Sequence, residues 1–313
     1  MRVLIVGGAG FIGSHLARRI VAAGHRVDLL IMPGSDAWRV ADLLPSVRLH
    51  RLPLSDRDAL RGCLDTARPT HIAHLAMDTR SRHAVGLAQA SLSASGIDDL
   101  LGLLEAATAM TEPPRMFLRT GSIAEYGTGP VPFRERQRER PATGYAAATT
   151  ACTHFADAVA ADLPFPIVTA RLALVYGPDQ ARDFLVPSLV GNCLDGRGMR
   201  LLRPNDRRDL IHVTDAIRLL HRLLDREHVR SGIVNIGSGT DIGVGELADL
   251  VAGITGADPA LFHRTEQPDA PAVLRLSVRR MRAMLGTDPL IPLADGLRAL
   301  VASMRGAAIA EAA

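Results

Sequence analysis

The sequence predicts an α/β protein with a doubly wound parallel sheet and a smaller C-terminal substrate lobe. Strand-like apolar runs alternate with helical patterns through the first 172 residues, which is typical of a parallel sheet covered on both faces. The first strand runs directly into the turn Gly7-Gly8-Ala9-Gly10-Phe11-Ile12-Gly13, which opens a helix. Glycines let backbone N–H groups approach a pyrophosphate at the positive end of that helix, so we expect a Rossmann-type dinucleotide-binding domain.

The remaining strands and helices are predicted from the spacing of apolar residues and from the residues that favour turns. We predict strands at residues 3–6, 26–31, 47–52, 71–76, 115–120 and 167–172. We predict helices at residues 37–44, 55–63, 89–110 and 145–162, with Ser55 as the N-cap of the second. Residues 233–236 are expected to return to the main sheet as a further strand.

The domain division follows changes in composition along the chain. Residues 1–172 are predicted to form the dinucleotide-binding domain, with residues 207–238 returning to it. Residues 173–206 and 239–302 are predicted to form the substrate lobe, because short helices and Gly- and Pro-rich links mix there. The Ala-rich residues 303–313 are predicted to be a flexible tail.

Composition favours a small-molecule enzyme. The 313 residues are 47% hydrophobic and 22% charged, and the net charge of +3 is spread among acids without a basic stripe. We therefore expect no nucleic-acid partner. No apolar run is long enough for a membrane span, so we expect a cytoplasmic protein without a membrane partner. The Arg/Glu alternation at residues 133–140 is expected to be a solvated loop.

Cysteine and lysine usage narrows the chemistry. Three cysteines, Cys63, Cys152 and Cys193, lack metal-ligand or disulfide spacing, so we predict free thiols and no metal site. His71 and His74 are expected to be core residues rather than metal ligands. The sequence contains no lysine, and all 36 of its basic Lys+Arg residues are arginines.

Sequence blocks along nearly the whole chain resemble one enzyme family. They are the glycine turn, His74-Leu75-Ala76, Thr120-Gly121-Ser122 through Tyr126-Gly127, Tyr145, Arg171 through Val175-Tyr176-Gly177-Pro178, the block from Arg208 to Asp215, and Asn235-Ile236-Gly237-Ser238-Gly239. Together they resemble the extended short-chain dehydrogenases/reductases, the NAD(P)-dependent epimerase/dehydratase group. The resemblance implies hydride transfer at a carbonyl or carbinol carbon and a homodimer paired through two long helices.

The resemblance also implies site residues. Ser122 occupies the family's hydroxyl position and Tyr145 its tyrosine position, and Thr149 occupies the position of the family lysine. The predicted cofactor contacts are Gly7, Gly10, Phe11, Ile12, Gly13, Ser35, Arg39, Leu54, Leu75, Ala76 and Tyr145. The predicted substrate contacts are Met77, Asp78, Ser122 and Leu174.

The missing lysine points to a direction for the reaction. In the family, this lysine lowers the pKa of the tyrosine and holds the nicotinamide ribose. Alcohol oxidation needs tyrosinate as the base, whereas reduction needs only the neutral phenol as the acid. Thr149 therefore favours reduction, with Tyr145, a water held by Thr149 or a substrate hydroxyl as the proton donor.

Three other positions depart from the family or need an explanation. Leu174 replaces the asparagine that contacts the substrate diphosphate in nucleotide-sugar members, which favours a less charged ligand. Ser95-Gly96 stand where the family places a structural asparagine. Glu125 is an alternative base of the kind used by dehydratases, but its offset from their acid pair favours a structural role.

The end of the second strand bears on the choice of cofactor. NAD-preferring members carry an aspartate there, and this chain has Ile31. Asp28 lies three residues too early and is expected to be exposed on the strand. Ser35 and Arg39 are placed to reach a 2′-phosphate, although Met32 replaces an expected arginine. We therefore predict NADP(H), with NAD as the alternative.

These observations lead to three hypotheses. The first is an NAD(P)H-dependent ketoreductase acting on a cyclic ketone, either a polyketide-type aromatic ketone or a keto-sugar, in a biosynthetic pathway such as antibiotic biosynthesis. The alternative is an NAD-dependent nucleotide-sugar epimerase or dehydratase. The third is a non-catalytic dinucleotide-sensing protein.

Overall fold

The computed structural model describes residues 1–77, 87–265 and 269–312 of the chain. Its strands are β1 (Arg2–Val6), β2 (Arg26–Ile31), β3 (Arg48–Arg51), β4 (His71–His74), β5 (Met116–Ser122), β6 (Ile167–Leu172), β7 (Leu174–Tyr176), β8 (Met199–Leu201), β9 (Arg207–Arg208), β10 (Leu210–His212), β11 (Gly232–Ile236), β12 (Ile242–Gly243), β13 (Phe262–Arg264) and β14 (Val273–Leu274). Its helices are α1 (Phe11–Ala22), α2 (Arg57–Ala67), α3 (Leu87–Thr108), α4 (Gly144–Val159), α5 (Leu185–Leu194), α6 (Val213–Leu224), α7 (Val244–Thr255), α8 (Arg279–Leu285) and α9 (Leu293–Ala312).

The main sheet has seven strands in the order β11-β6-β5-β4-β1-β2-β3. Neighbouring strands from β3 to β6 pair in parallel, and β1 lies between β2 and β4. This order, with the chain reversing direction at β1, is that of a Rossmann fold and confirms the predicted fold class. The carboxyl ends of β1 and β4 meet beside this reversal, where such folds bind ligands.

The described chain divides into two compact units. The first unit comprises residues 1–129, 135–172 and 217–234. Its core is formed by apolar side chains from the main sheet packed with α2, α3 and α4, including Leu4, Leu60, Leu100, Phe117 and Ala156. The predicted assignment of this unit to the dinucleotide and of the rest to the substrate stays a prediction.

The second unit comprises residues 130–134, 173–216 and 235–313. Its core joins α5, α7 and α9 through buried side chains such as Leu189, Leu247 and Leu297. Residues 303–313, predicted to be a flexible tail, are helical as far as Ala312, because α9 packs its apolar face on this core. Met304 is one of the residues that packs there.

Two local expectations differ from the structure. Asp56, not Ser55, caps α2, since its carboxylate accepts a hydrogen bond from the Ala59 N–H at 3.0 Å. Asp28, expected to be exposed, is 2% exposed and pairs with His50 at 2.9 Å. Because β2 is covered on both faces, its apolar run carries no alternation that would reveal which side chains are buried.

Candidate active site

The glycine turn is built as a tight loop between β1 and α1. Gly7 has φ +82°, and a Cβ there would lie 2.8 Å from the backbone nitrogen of Ala76. A Cβ on Gly13 would overlap the carbonyl oxygen of Gly7. Larger residues at these positions would push the turn away from the sheet and from α1.

The amino end of α1 suits an anion. Within the described chain no side chain caps this helix, so the N–H groups of its first turn remain available to a ligand. Gly10, the residue before the helix, is exposed, and Phe11 and Ile12 are half-buried. These residues fit the pyrophosphate of a dinucleotide, which would be held by backbone N–H groups and by the helix dipole.

The remaining predicted cofactor residues fall into two groups. Leu75 and Ala76 are half-buried just after β4, and the Leu75 N–H donates to the Val6 carbonyl at 2.9 Å, which keeps them beside the turn. Leu54, in contrast, is buried in the hydrophobic core of the first unit. Its side chain packs in this core, and its predicted cofactor contact stays a prediction.

The loop after β2 presents cations and no nearby strand carboxylate. Ile31 is buried at the end of β2 opposite Arg51 of β3, whose guanidinium donates to the carbonyl of Ser35 at 2.8 Å. Arg39 lies 4.4 Å from the exposed Trp38 ring. Asp28 is buried with His50 and is therefore not available to a ribose hydroxyl.

Ser122 and Tyr145, two of the predicted catalytic residues, lie close enough for Ser122 to affect the pKa of Tyr145. Ser122 ends β5 and accepts a hydrogen bond from the Ala124 N–H at 3.1 Å, so its own proton remains free to donate. Tyr145 stands in the first turn of α4, which is capped by Thr143. The Ser122 and Thr149 hydroxyls both act to lower the pKa of the Tyr145 hydroxyl, against the effect of its burial.

Thr149 fills the lysine position with a buried hydroxyl. Its Oγ1 donates to the Tyr145 carbonyl at 2.7 Å and lies 3.9 Å from the Met77 sulfur. A threonine has one proton and no charge, so it cannot hold a tyrosinate as an ammonium group does. Burial is the main cause that raises the pKa of Tyr145 above its ordinary value of 10.0.

A buried ionic network lies beneath this pair, and the sequence did not predict it. Glu125 and Arg171 are each fully buried, and the Arg171 Nε donates to Glu125 Oε2 at 2.7 Å. Thr153 donates to the same oxygen at 2.8 Å and accepts from Arg119 Nη1 at 2.8 Å. Arg171 also pairs with Glu139, so the segment predicted to be a solvated loop contributes a nearly buried carboxylate.

The predicted substrate contacts are spread over several segments. Met77 is half-buried after β4, and Leu174 is half-buried in β7 of the second unit. Asp78 lies outside the described residues. Over the described ranges no cluster of His, Cys, Asp or Glu could hold a metal ion, and Cys63, Cys152 and Cys193 are free. No described helix is both long and apolar enough to cross a bilayer.

The fold and site together define a class: a Rossmann-fold protein whose glycine turn suits a dinucleotide, with Ser122 at the end of β5 and Tyr145 at the start of α4. A model of the "NAD dependent epimerase/dehydratase family" matches residues 3–237, which is well over half of the chain. The chain therefore belongs to this family, as its resemblance implied. The family consists of extended short-chain dehydrogenases/reductases, and the chain is an enzyme of that type.

Individual relatives are distant but cover nearly the full chain. A dTDP-glucose 4,6-dehydratase of Streptomyces niveus is 28% identical over 312 residues, covering 95% of this chain and 90% of that protein. A probable UDP-glucuronate 4-epimerase of Rhizobium meliloti is 27% identical and covers 96% of both chains. The crystal structure of Thermus thermophilus UDP-glucose 4-epimerase in complex with NAD superposes with a TM-score of 0.84 at 26% identity, covering 98% of this chain and 100% of that one.

Proposed function

We propose that the protein is an NAD(P)H-dependent reductase of a nucleotide-linked keto-sugar. One observation carries the direction of this reaction: Tyr145 is paired with Ser122 and with a neutral Thr149, and no lysine exists in the chain. A buried phenol without a neighbouring ammonium is held in its protonated form, which is the form that a reduction consumes.

Each residue of the site has a distinct task. The dinucleotide, when bound along the glycine turn, supplies the hydride. Ser122 donates its free hydroxyl proton to the substrate carbonyl oxygen and polarises it. Tyr145 then gives its phenolic proton to that oxygen as negative charge develops, and the Ser122 contact keeps the phenol in place.

The relatives support the sugar rather than the aromatic ketone as the substrate. The Streptomyces and Rhizobium proteins are named for dTDP-glucose and UDP-glucuronate, and both match nearly the full length of this chain. We therefore favour the keto-sugar over the polyketide-type ketone that the sequence left open. Leu174 stands where the nucleotide-sugar members carry an asparagine that contacts the diphosphate, so the proposal requires that other residues hold this diphosphate.

We propose NADP(H) as the preferred coenzyme. Ile31 offers no carboxylate to a ribose hydroxyl, and Asp28 is engaged with His50. We assign Ser35 and Arg39, in the loop after β2, to the 2′-phosphate. NAD remains the second candidate, since the superposed Thermus epimerase was crystallised with it.

A redox-neutral nucleotide-sugar epimerase or dehydratase is the second candidate function. The observation that favours it is the full-length match to a dehydratase and to an epimerase. Such an enzyme must first oxidise its sugar, which requires tyrosinate or an equivalent base. The absence of a lysine beside Tyr145 therefore argues against an epimerase or dehydratase, whereas a reductase does not need that lysine.

The experiment compares two assays with the purified protein. A nucleotide-linked 4-keto-sugar is incubated with NADPH or NADH, and UDP-glucose and dTDP-glucose are incubated with catalytic NAD. The proposal expects one coenzyme oxidised per keto-sugar reduced. Epimer or 4-keto-6-deoxy product without net coenzyme consumption would establish the second candidate instead. Coenzyme binding without turnover of any of these sugars would favour a dinucleotide sensor.

A further inference from the structure

Glu125 is a fully buried carboxylate that the reaction described above does not use. It is the third residue of the short helix Ile123–Tyr126, for which Ser122 is the N-cap. Its Oε1 accepts a hydrogen bond from the Ser122 N–H at 2.8 Å. The carboxylate therefore lies directly behind the residue that polarises the substrate.

The surroundings of Glu125 are arranged to hold this position. Its Oε2 accepts from Arg171 and from Thr153, so both oxygens are fixed. A Cβ on Gly121 would overlap Oε1, so the glycine before Ser122 leaves the space that the carboxylate fills. A buried ion pair contributes little net stability, so stability alone does not account for a charge at this position.

We propose that Glu125 is a positioning residue that fixes Ser122 and keeps the Tyr145 hydroxyl in its protonated, proton-donating form. The inference rests on the proposed function, because it assigns Tyr145 the role of acid. Where the family has a cation beside the tyrosine, this chain has a neutral hydroxyl at Thr149 and a carboxylate behind Ser122. Both features, the absence of a cation and the presence of a carboxylate, disfavour the deprotonated form of Tyr145.

The other charged groups near Tyr145 do not reverse this bias. Arg119 is attached to α4 through Thr153, eight residues after Tyr145, whereas Glu125 accepts a hydrogen bond from the backbone of Ser122, whose side chain affects the pKa of the phenol. Among the charges that act on Tyr145, Glu125 raises its pKa more than Arg119 lowers it. The cation that pairs with Glu125 directly, Arg171, also pairs with Glu139 and lies over the Tyr126 ring, and it is not among the main causes of the shift in the Tyr145 pKa.

The titration of Tyr145 can be followed without substrate or coenzyme. The chain has 3 tyrosines, at positions 126, 145 and 176, and burial raises the pKa of Tyr176 as well. The ultraviolet absorbance of tyrosinate is recorded against pH for each protein and for its matching Tyr145→Phe variant. The difference between the two curves belongs to Tyr145.

Two variants of Glu125 separate charge from shape. Glu125→Gln removes the charge but keeps an acceptor for the Ser122 N–H, and we expect the Tyr145 midpoint to fall by about one pH unit. Glu125→Asp keeps the charge, and its midpoint should stay near that of the original protein. A midpoint unchanged in Glu125→Gln, with native circular dichroism, would overturn the inference.

A double variant keeps the test valid if Glu125→Gln alone destabilises the protein. Glu125→Gln leaves Arg171 with a weaker partner, so Glu125→Gln combined with Arg171→Gln removes both buried charges together. The double variant should show the lowered midpoint, and Arg171→Gln alone should not. Equal midpoints in the double variant and the original protein would overturn the inference.

The closing comparison separates this inference from the proposed function. A lowered Tyr145 midpoint without keto-sugar reduction by the original protein would contradict the proposed function and leave the Glu125 coupling in place. Keto-sugar reduction with an unchanged midpoint would contradict the coupling alone. With both intact, Glu125→Gln should shift the rise of alcohol oxidation toward lower pH, which a purely structural residue would not do.

Discussion

The Thr149 hydroxyl donates to the backbone carbonyl of Tyr145, one helical turn earlier, at 2.7 Å. This bond ties the side chain to its own helix, a common arrangement for threonine within helices. The one proton of this hydroxyl is used by the helix backbone, so little of it remains to stabilise a phenolate. The position that carries a cation in the family therefore carries no charge in this chain.

Restoring that cation should restore alcohol oxidation. In Thr149→Lys an ammonium beside Tyr145 should lower the tyrosine pKa by about one to three units, since an opposite charge at this range has that effect. Oxidation of the product alcohol by NADP⁺ at neutral pH should rise by about tenfold or more, because more tyrosinate is present.

Thr149→Val is the matched control, since it removes the hydroxyl without adding charge. It should leave the ratio of oxidation to reduction rates near its original value. A folded Thr149→Lys protein that binds NADP⁺ and shows no gain in oxidation would contradict the electrostatic explanation.

Removal of the phenol tests the identity of the acid. Tyr145→Phe should lower the rate of coenzyme-coupled keto-sugar reduction by about 10²- to 10⁴-fold, the usual contribution of a positioned acid. Coenzyme affinity, followed by the fluorescence of the reduced nicotinamide, should change little. Tyr176→Phe makes the same chemical change in the second unit, where the hydroxyl donates to the Leu293 carbonyl, and should leave the rate nearly unchanged. Unchanged turnover in Tyr145→Phe would place the proton source in water or substrate.

The parts of this molecule that were predictable depend on local chemistry. The turn requires glycine at particular positions within a stretch of seven residues, so Gly7 and Gly13 predict it directly from the sequence. The hydrophobic periodicity of the sequence predicted the strands and helices of the parallel sheet and their order along the chain. The meeting of Ser122 with Tyr145 followed from the family resemblance rather than from spacing.

What was missed depends on contacts between distant segments. Glu125 and Arg171 are 46 residues apart in the chain and meet because β5 and β6 are neighbours. Asp28 was misplaced because a strand buried on both faces shows no alternation. Its partner His50 stands on the neighbouring strand β3, and a pairing of β2 with β3 in the right register would have revealed the contact.

The proposed preference for NADP(H) makes a prediction about Arg39. Arg39→Ala should raise the dissociation constant of NADPH about tenfold, because a charge-assisted hydrogen bond to the 2′-phosphate is lost. The affinity for NADH, which lacks that phosphate, should be unchanged. Arg61→Ala on α2, which removes an exposed arginine paired with Asp58, controls for the general loss of positive charge. Equal weakening of both coenzymes would contradict the assignment of Arg39, and so would an unchanged NADPH affinity.

The buried ion pair makes a separate prediction about stability. Arg171→Met leaves the Glu125 carboxylate buried without its cation, and such a loss costs about 3–5 kcal/mol of the free energy of unfolding. Arg197→Met removes a similar pair with Asp195, but both of its side chains are exposed, and the cost there should be about 1 kcal/mol or less. Urea titrations followed by circular dichroism give both values. Equal losses in the two variants would mean that water reaches the Glu125 site, and the carboxylate could then not bias Tyr145 as a buried charge does.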